Sequence, residues 1–195
     1  MRTRQKQFTH NGHNRFALAR LKAKIGQSVI ETLLFESGYN VYPYGYENYY
    51  DNITRFVRKD YSDITTTKIR SMPDLLVSDR NKNERFLLQI KTTNSTDESN
   101  YWIKKDDLDC YLNYWPEAIL VVYYIQTGDI YCLKIAHIKN PNEGFLPNSS
   151  DNGYYLNLAD FWDITRYFSL IKPHSYIKLR TEIAEILRAF GQQYC

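Results

Sequence analysis

Apolar positions recur at helical spacing over residues 16–37, where Phe16, Leu18, Leu21, Ile25, Val29, Leu33 and Leu34 fall along one side. Gly26 lies inside this run. It either divides the segment into two helices or lets another element approach the backbone closely. Gly38 follows where a left-handed cap would stop the helix. Val41-Tyr42 opens a strand that Pro43 and Gly45 interrupt, and residues 46–63 form a polar, tyrosine-rich stretch that reads as a long loop. Residues 64–70 are expected to pair at a sheet edge. Residues 73–78 and 85–91 alternate as two adjacent antiparallel strands joined by the solvated turn 79–84. A short helix is expected over 106–114, ending before Pro116. The run AILVVYYI at 118–125 reads as a central strand. Thr127-Gly128-Asp129 turns it into a strand over 130–135. Pro141, Gly144, Pro147, Asn148 and Gly153 mark 139–153 as loop, and Tyr176, Leu179, Ile183, Ile186, Leu187 and Phe190 mark a last helix over 175–190. The order implies an α/β or α+β core with a mixed central sheet flanked by helices, of which α/β is the expectation adopted.

The chain has 195 residues, enough for one domain with a substantial core. Residues 1–15 read as a basic flexible arm. Residues 16–195 read as a single domain, with its core at about 20–135 and a C-terminal loop and helix over 136–195. Charge changes this picture locally. The net charge is only +3, yet residues 1–24 hold seven of the 25 basic residues and no acid, which leaves 18 basic against 22 acidic residues elsewhere. Arg2, Arg4, Lys6, Arg15, Arg20, Lys22 and Lys24 thus form a basic segment suited to phosphates on a mildly acidic body. The 18 tyrosines suggest half-wet surfaces and grooves. Cys110, Cys132 and Cys195 are odd in number and form no CxxC, which argues against a disulfide scaffold or a zinc site; two of them sit in apolar segments and read as core. No apolar run approaches a membrane span and no secretory leader pattern is evident, so the expected setting is cytoplasmic.

The candidate chemistry lies in the hairpin. Along the second strand, Arg85, Leu87, Gln89 and Lys91 share one face. Folding the hairpin about the midpoint between Asn81 and Lys82 sets Asp74 opposite Gln89, with Lys91 two residues further on that face. Directly opposed side chains stand about 5 Å apart at Cβ. A carboxylate, an amide and an ammonium thus converge. Hydrolysing a phosphodiester needs an in-line water and positive charge over the developing phosphorane, and Mg²⁺ or Mn²⁺ supplies much of this. Asp74, the Gln89 side-chain oxygen and the Ile90 backbone carbonyl are oxygen ligands suited to such an ion. Lys91 can orient the water, or take its proton if its pKa is lowered. Gln27 and Glu31, spaced i, i+4, share a face of the first helix, and either could hold a water ligand.

These residues, in this order, resemble the PD-(D/E)XK nuclease superfamily in its QxK variant. The likeness is to Mrr-type restriction domains and related uncharacterised prokaryotic nuclease-fold domains. It spans roughly 20–135: the helix ending Leu33-Leu34-Phe35-Glu36-Ser37-Gly38, the strand at Val41, Asp74, Gln89-Ile90-Lys91-Thr92-Thr93, the short helix, the apolar strand and the Thr127-Gly128-Asp129-Ile130-Tyr131 hairpin. The resemblance implies a restriction endonuclease-like core, with Asp74 as metal-binding acid, Gln89 as second ligand and Lys91 as catalytic lysine. Such families often place glutamate about eleven residues before the helix-ending glycine. Here that place holds Gln27, with Glu31 one turn later.

Lys68, Arg70, Lys104 and Lys105 flank the motif and could line a groove for phosphates, while Tyr49, Tyr50, Tyr101 and Trp102 could stack on bases. His10 and His13 lack a second metal-ligating pair, and His137 and His174 stand alone. No phosphate-cradling glycine motif and no Gly-x-Ser-x-Gly elbow occurs. The sequence therefore points to a Mg²⁺- or Mn²⁺-dependent DNA endonuclease, in restriction, defence, repair or mobile-element and viral DNA processing, with two-fold dimerisation a reasonable expectation. Two alternatives stand beside it: a nuclease-fold module that binds nucleic acid without cutting it, and a protein-interaction module.

Overall fold

The structure, a computed structural model, describes residues 10–46, 63–97, 99–139, 141–145 and 151–168, with side chains from residue 17 onward. Arg2, Arg4, Lys6, Tyr49, Tyr50, the expected loop between residues 47 and 62 and the expected helix at 175–190 lie outside the described residues. So do His174, Cys195 and the Arg15 side chain.

Helix α1 (His10–Glu36) is one continuous helix, starting six residues before the expected boundary and passing through Gly26 without a break. The glycine serves close approach instead. A Cβ there would stand 2.0 Å from Thr92 Cγ2 and 3.2 Å from Tyr123 Cδ1. Gly38, at φ 90°, ends the helix as expected, its N–H donating to the Phe35 carbonyl. Strand β1 (Tyr39–Pro43) follows at the sheet edge, where a terminal proline is tolerated.

Ile64–Arg70 is not an edge strand but a helix, α2. Its β-branched residues favour strand, yet Asp63 caps it, accepting from the Thr66 N–H at 2.9 Å. Strands β2 (Leu75–Asp79) and β3 (Arg85–Thr93) form the expected antiparallel hairpin, with Leu75 opposite Leu88 and Val77 opposite Phe86. Asp79 closes the turn by accepting from the N–H groups of Asn81 and Lys82, and Asn83 takes the left-handed conformation. Strand β4 (Asn100–Lys104) leads into helix α3 (Lys105–Tyr114), then β5 (Ile119–Tyr124) and β6 (Ile130–Lys134).

The main sheet has the order β1-β2-β3-β5-β6-β9, where β9 is Trp162–Asp163, followed by the short helix α4 (Ile164–Tyr167). Strand β5 is buried along its whole length and runs parallel to β3; the remaining pairs are antiparallel. The fold is thus α/β as expected, with a mixed central sheet flanked by helices. Helix α1 covers one face through Val29, Ile30, Leu33 and Leu34 against Leu75, Val77, Leu88, Ile90 and Val121. Helix α3 and a second sheet cover the other through Ile103, Leu108, Tyr111 and Leu156 against Leu120 and Val122.

That second sheet was not expected. It joins β4, β8 (Asn152–Asn157) and β7 (Asn142–Phe145), all antiparallel, so the segment 139–153 contains strand as well as loop. Its glycines are strand positions under crowding. A Cβ on Gly153 would lie 2.3 Å from the Ile103 carbonyl oxygen, and one on Gly144 would lie 2.8 Å from the Tyr155 ring. Cys132 is buried in the core, whereas Cys110 on α3 is only half-buried. Among the described residues no helix is long and apolar enough to cross a membrane.

Candidate active site

Asp74 directly precedes β2, and the backbone fixes it from two directions. Its carbonyl accepts from the N–H groups of Tyr44 (2.8 Å) and Gly45 (3.2 Å), which ties it to the end of β1. Its carboxylate Oδ2 accepts from the Ile90 N–H at 2.6 Å and from Gln89 Nε2 at 2.7 Å. The hairpin register therefore continues one step beyond Leu75–Leu88, and Asp74 meets Gln89 as the sequence geometry requires. Gln89 is buried, so a polar partner is needed to offset its desolvation.

Lys91 lies on the same face as Gln89 and reaches toward α3. Its Nζ donates to Asp107 Oδ2 at 2.8 Å and sits 5.4 Å from the Tyr111 ring centroid. Asp107 and Tyr111 are one turn apart on α3 and so present together. Burial opposes the charge on Lys91. Tyr111, Asp107 and Tyr101 around it, with the hydrogen bond to Asp107, outweigh that and hold the ammonium above the usual lysine range. Burial is also the main reason that the Tyr111 phenol is pushed up to about 12; Lys91 works against this rise, and Asp107 and Asp74 add to it. Asp74, Lys91, Asp107 and Tyr111 thus share one electrostatic neighbourhood. Lys91 is suited to remain an ammonium rather than to accept a proton at neutral pH.

Gln27 and Glu31 contact each other, Gln27 Nε2 donating to Glu31 Oε1 at 2.8 Å. Helix α1 passes over the sheet at the level of Thr92 and covers the face of Leu88 and Ile90. Strand alternation turns Gln89 and Lys91 to the other face. The pair on α1 therefore belongs to the helix that covers the face from which Gln89 and Lys91 turn away.

The expected phosphate-contacting residues are scattered. Arg20, Lys22 and Lys24 lie on α1 at exposed or half-exposed positions. Lys68 and Arg70 are exposed on α2, with Lys68 Nζ 5.8 Å from the Trp115 ring centroid. Lys104 is exposed, whereas Lys105 forms an ion pair with Glu143 and lies over the Tyr154 ring. Tyr101 is buried in the second core, so it is not a base-stacking platform. Trp102 is half-buried and its Nε1 donates to the Gly144 carbonyl at 3.4 Å.

Asp107 and Tyr111 were not singled out from the sequence. A signal existed: two acids in the first turn of a helix that follows the QxK strand, with a tyrosine four residues on. First-turn acids read equally well as partners of the helix dipole, and only the fold sets Asp107 against Lys91.

The donor set can be weighed against a divalent ion. Among the described residues no group of three or more His, Cys, Asp or Glu side chains is placed to hold a metal. The oxygens near Asp74 are one oriented carboxylate, one amide and a backbone carbonyl. This fits Mg²⁺ or Mn²⁺ bound through few protein ligands, with water and substrate phosphate completing the shell, and does not fit an all-protein cage.

No protein-family model and no curated protein matches the chain. Among solved structures, it is similar to D212, a nuclease from a fusselovirus. The identity is 14% and the TM-score 0.44, and the match covers 86% of this chain and 96% of that chain.

Proposed function

We propose that this protein is a Mg²⁺- or Mn²⁺-dependent endodeoxyribonuclease that hydrolyses phosphodiester bonds. The observation that carries the reading is the hydrogen bond from Gln89 to Asp74, with Lys91 on the same face, at the end of the β2–β3 hairpin. The Asp74 carboxylate, the Gln89 side-chain oxygen and the Ile90 carbonyl would hold the cation. When bound, the cation supplies Lewis-acid charge at the phosphate and lowers the pKa of a water. Asp74 is oriented before substrate arrives, because Ile90 and Gln89 donate to its Oδ2. Lys91 keeps its proton at Nζ and stabilises the charge that grows on the phosphoryl oxygens. Gln27 and Glu31, hydrogen-bonded to each other on α1, are given no ligand role in this reading. The basic segment from Arg2 to Lys24, with Lys68, Arg70 and Lys104, grips the DNA backbone. A homodimer would set two sites on the two strands.

The test is cleavage of plasmid DNA with Mg²⁺ or Mn²⁺ by the wild type, Asp74→Ala and Lys91→Ala, each checked for a native melting transition. Cleavage that needs metal and is lost in both folded variants supports the reading. A wild-type protein that cuts no DNA with either ion overturns it.

A second reading, a nuclease-fold module that binds nucleic acid and cuts weakly or not at all, has one observation in its favour. Glutamine stands at both 27 and 89, and no three metal-ligating side chains of the acid, histidine or cysteine type converge among the described residues. Salt-sensitive, metal-indifferent DNA binding without cleavage would select it.

A further inference from the structure

The side chain that Lys91 engages lies outside the hairpin. Its ammonium is held by Asp107 at 2.8 Å and lies over the Tyr111 ring, and both belong to α3. Helix α3 is itself tied to the second sheet, since the Tyr154 hydroxyl donates to Asp109 Oδ1 at 3.1 Å. We propose that Asp107 is a positioning residue of the hydrolytic site, fixing the Lys91 ammonium beside the Asp74–Gln89 pair so that its remaining N–H donors face the scissile phosphate. This inference rests on the nuclease reading above.

A lysine chain has many rotamers, and an ammonium aimed in advance contributes more to a developing charge than one that must be ordered during the reaction. The ammonium carries three donors. One is given to Asp107, and the others are shared among the Tyr111 hydroxyl, phosphate oxygen and water. A carboxylate near a phosphate also repels it, so Asp107 does not improve ground-state binding. Its contribution belongs in kcat and not in KM. The opposite arrangement would be a latch, in which Asp107 withholds the ammonium from substrate and its removal speeds the reaction.

The experiment measures kcat and KM separately for metal-dependent DNA cleavage by the full chain, with melting temperatures alongside. The variants are Asp107→Asn, Asp107→Glu and Asp106→Asn. Asp107 is 41% exposed in its ion pair, so asparagine is sterically acceptable there. Asp106 is an exposed acid one residue away and controls for the general field of α3. The expected result is a kcat about 10- to 100-fold lower for Asp107→Asn, with KM unchanged or lower. Asp107→Glu should recover part of the loss, and Asp106→Asn should match the wild type. A kcat for Asp107→Asn equal to or above the wild type overturns the proposal, as does an equal loss in Asp106→Asn. If Asp107→Asn does not fold, a folded Asp107→Glu with reduced kcat supports the proposal and one with wild-type kcat overturns it. An inactive wild type removes this inference together with the nuclease reading; an active wild type with an indifferent Asp107 removes this inference alone.

Discussion

The two faces of the main sheet are covered to similar depth by different chemistry. On the α1 side the buried contacts are hydrocarbon and ring, from Val29, Ile30, Leu33 and Leu34 to Leu88, Ile90 and Val121. On the α3 side, Leu108, Leu120 and Val122 are packed in the same way, but Gln89, Lys91 and Tyr111 enter the same layer. Polar groups in that setting are costly unless satisfied. Here Asp74 answers Gln89 and Asp107 answers Lys91. One strand serves both purposes because its side chains alternate. Leu88 and Ile90 contribute to stability, and under the proposed function Gln89 and Lys91 serve the chemistry. Stability and activity should therefore separate between neighbouring residues.

The largest effect is expected at Leu88, which is fully buried against α1. Leu88→Ala should lower unfolding free energy by about 2–5 kcal/mol, measured by urea denaturation, while the folded fraction keeps its cleavage rate per molecule. Its neighbour should behave in the opposite way. Gln89→Leu keeps the volume and removes the amide, so cleavage should fall about 100-fold while stability changes by only about 1–2 kcal/mol, the loss of one donor to Asp74. If Leu88→Ala removes activity from folded protein, or Gln89→Leu leaves it intact, the division between the faces does not hold.

Next in size is Gly26. A methyl group there meets Thr92 and Tyr123 on the α1 face. Overpacking of about 1–3 kcal/mol should exceed the roughly 1 kcal/mol that alanine gains in helix propensity. Gly26→Ala should therefore lower the melting temperature, and a rise would mean that the helix can lift without loss. The sequence left this glycine open between a break and a close approach, because helical periodicity alone does not say what lies above a residue. The hairpin was more legible. Its turn length sets the register, and the register sets which side chains meet, so Asp74 and Gln89 could be paired from spacing. Helix α2 runs against local propensity: Ile64 and three threonines favour strand, whereas the cap at Asp63 and the packing of α2 beside α3 decide its state. The second sheet was hidden by Gly144 and Gly153. Both look like loop punctuation, and both are in fact strand positions where a side chain has no room. Asp107 was hidden for a different reason. Its partner is 16 residues away on another element, and only tertiary structure brings the two together.

The smallest effect is expected at Glu31. The resemblance to QxK nucleases makes a first-helix acid a candidate for the metal's water shell, yet α1 covers the face that Gln89 and Lys91 turn away from. Glu31 is also already engaged, accepting from Gln27 one turn before it. Glu31→Gln removes the charge and nearly preserves the shape. If the opposite-face placement governs, cleavage should stay within about threefold of wild type and the concentration of Mn²⁺ giving half-maximal rate should hardly move; threefold corresponds to less than 1 kcal/mol in the barrier. A loss near that of Gln89→Leu, together with a raised Mn²⁺ requirement, would mean that Glu31 reaches around the end of the sheet to the cation. The two faces would then form one site, and the separation of stability from chemistry would have to be redrawn along the strand ends.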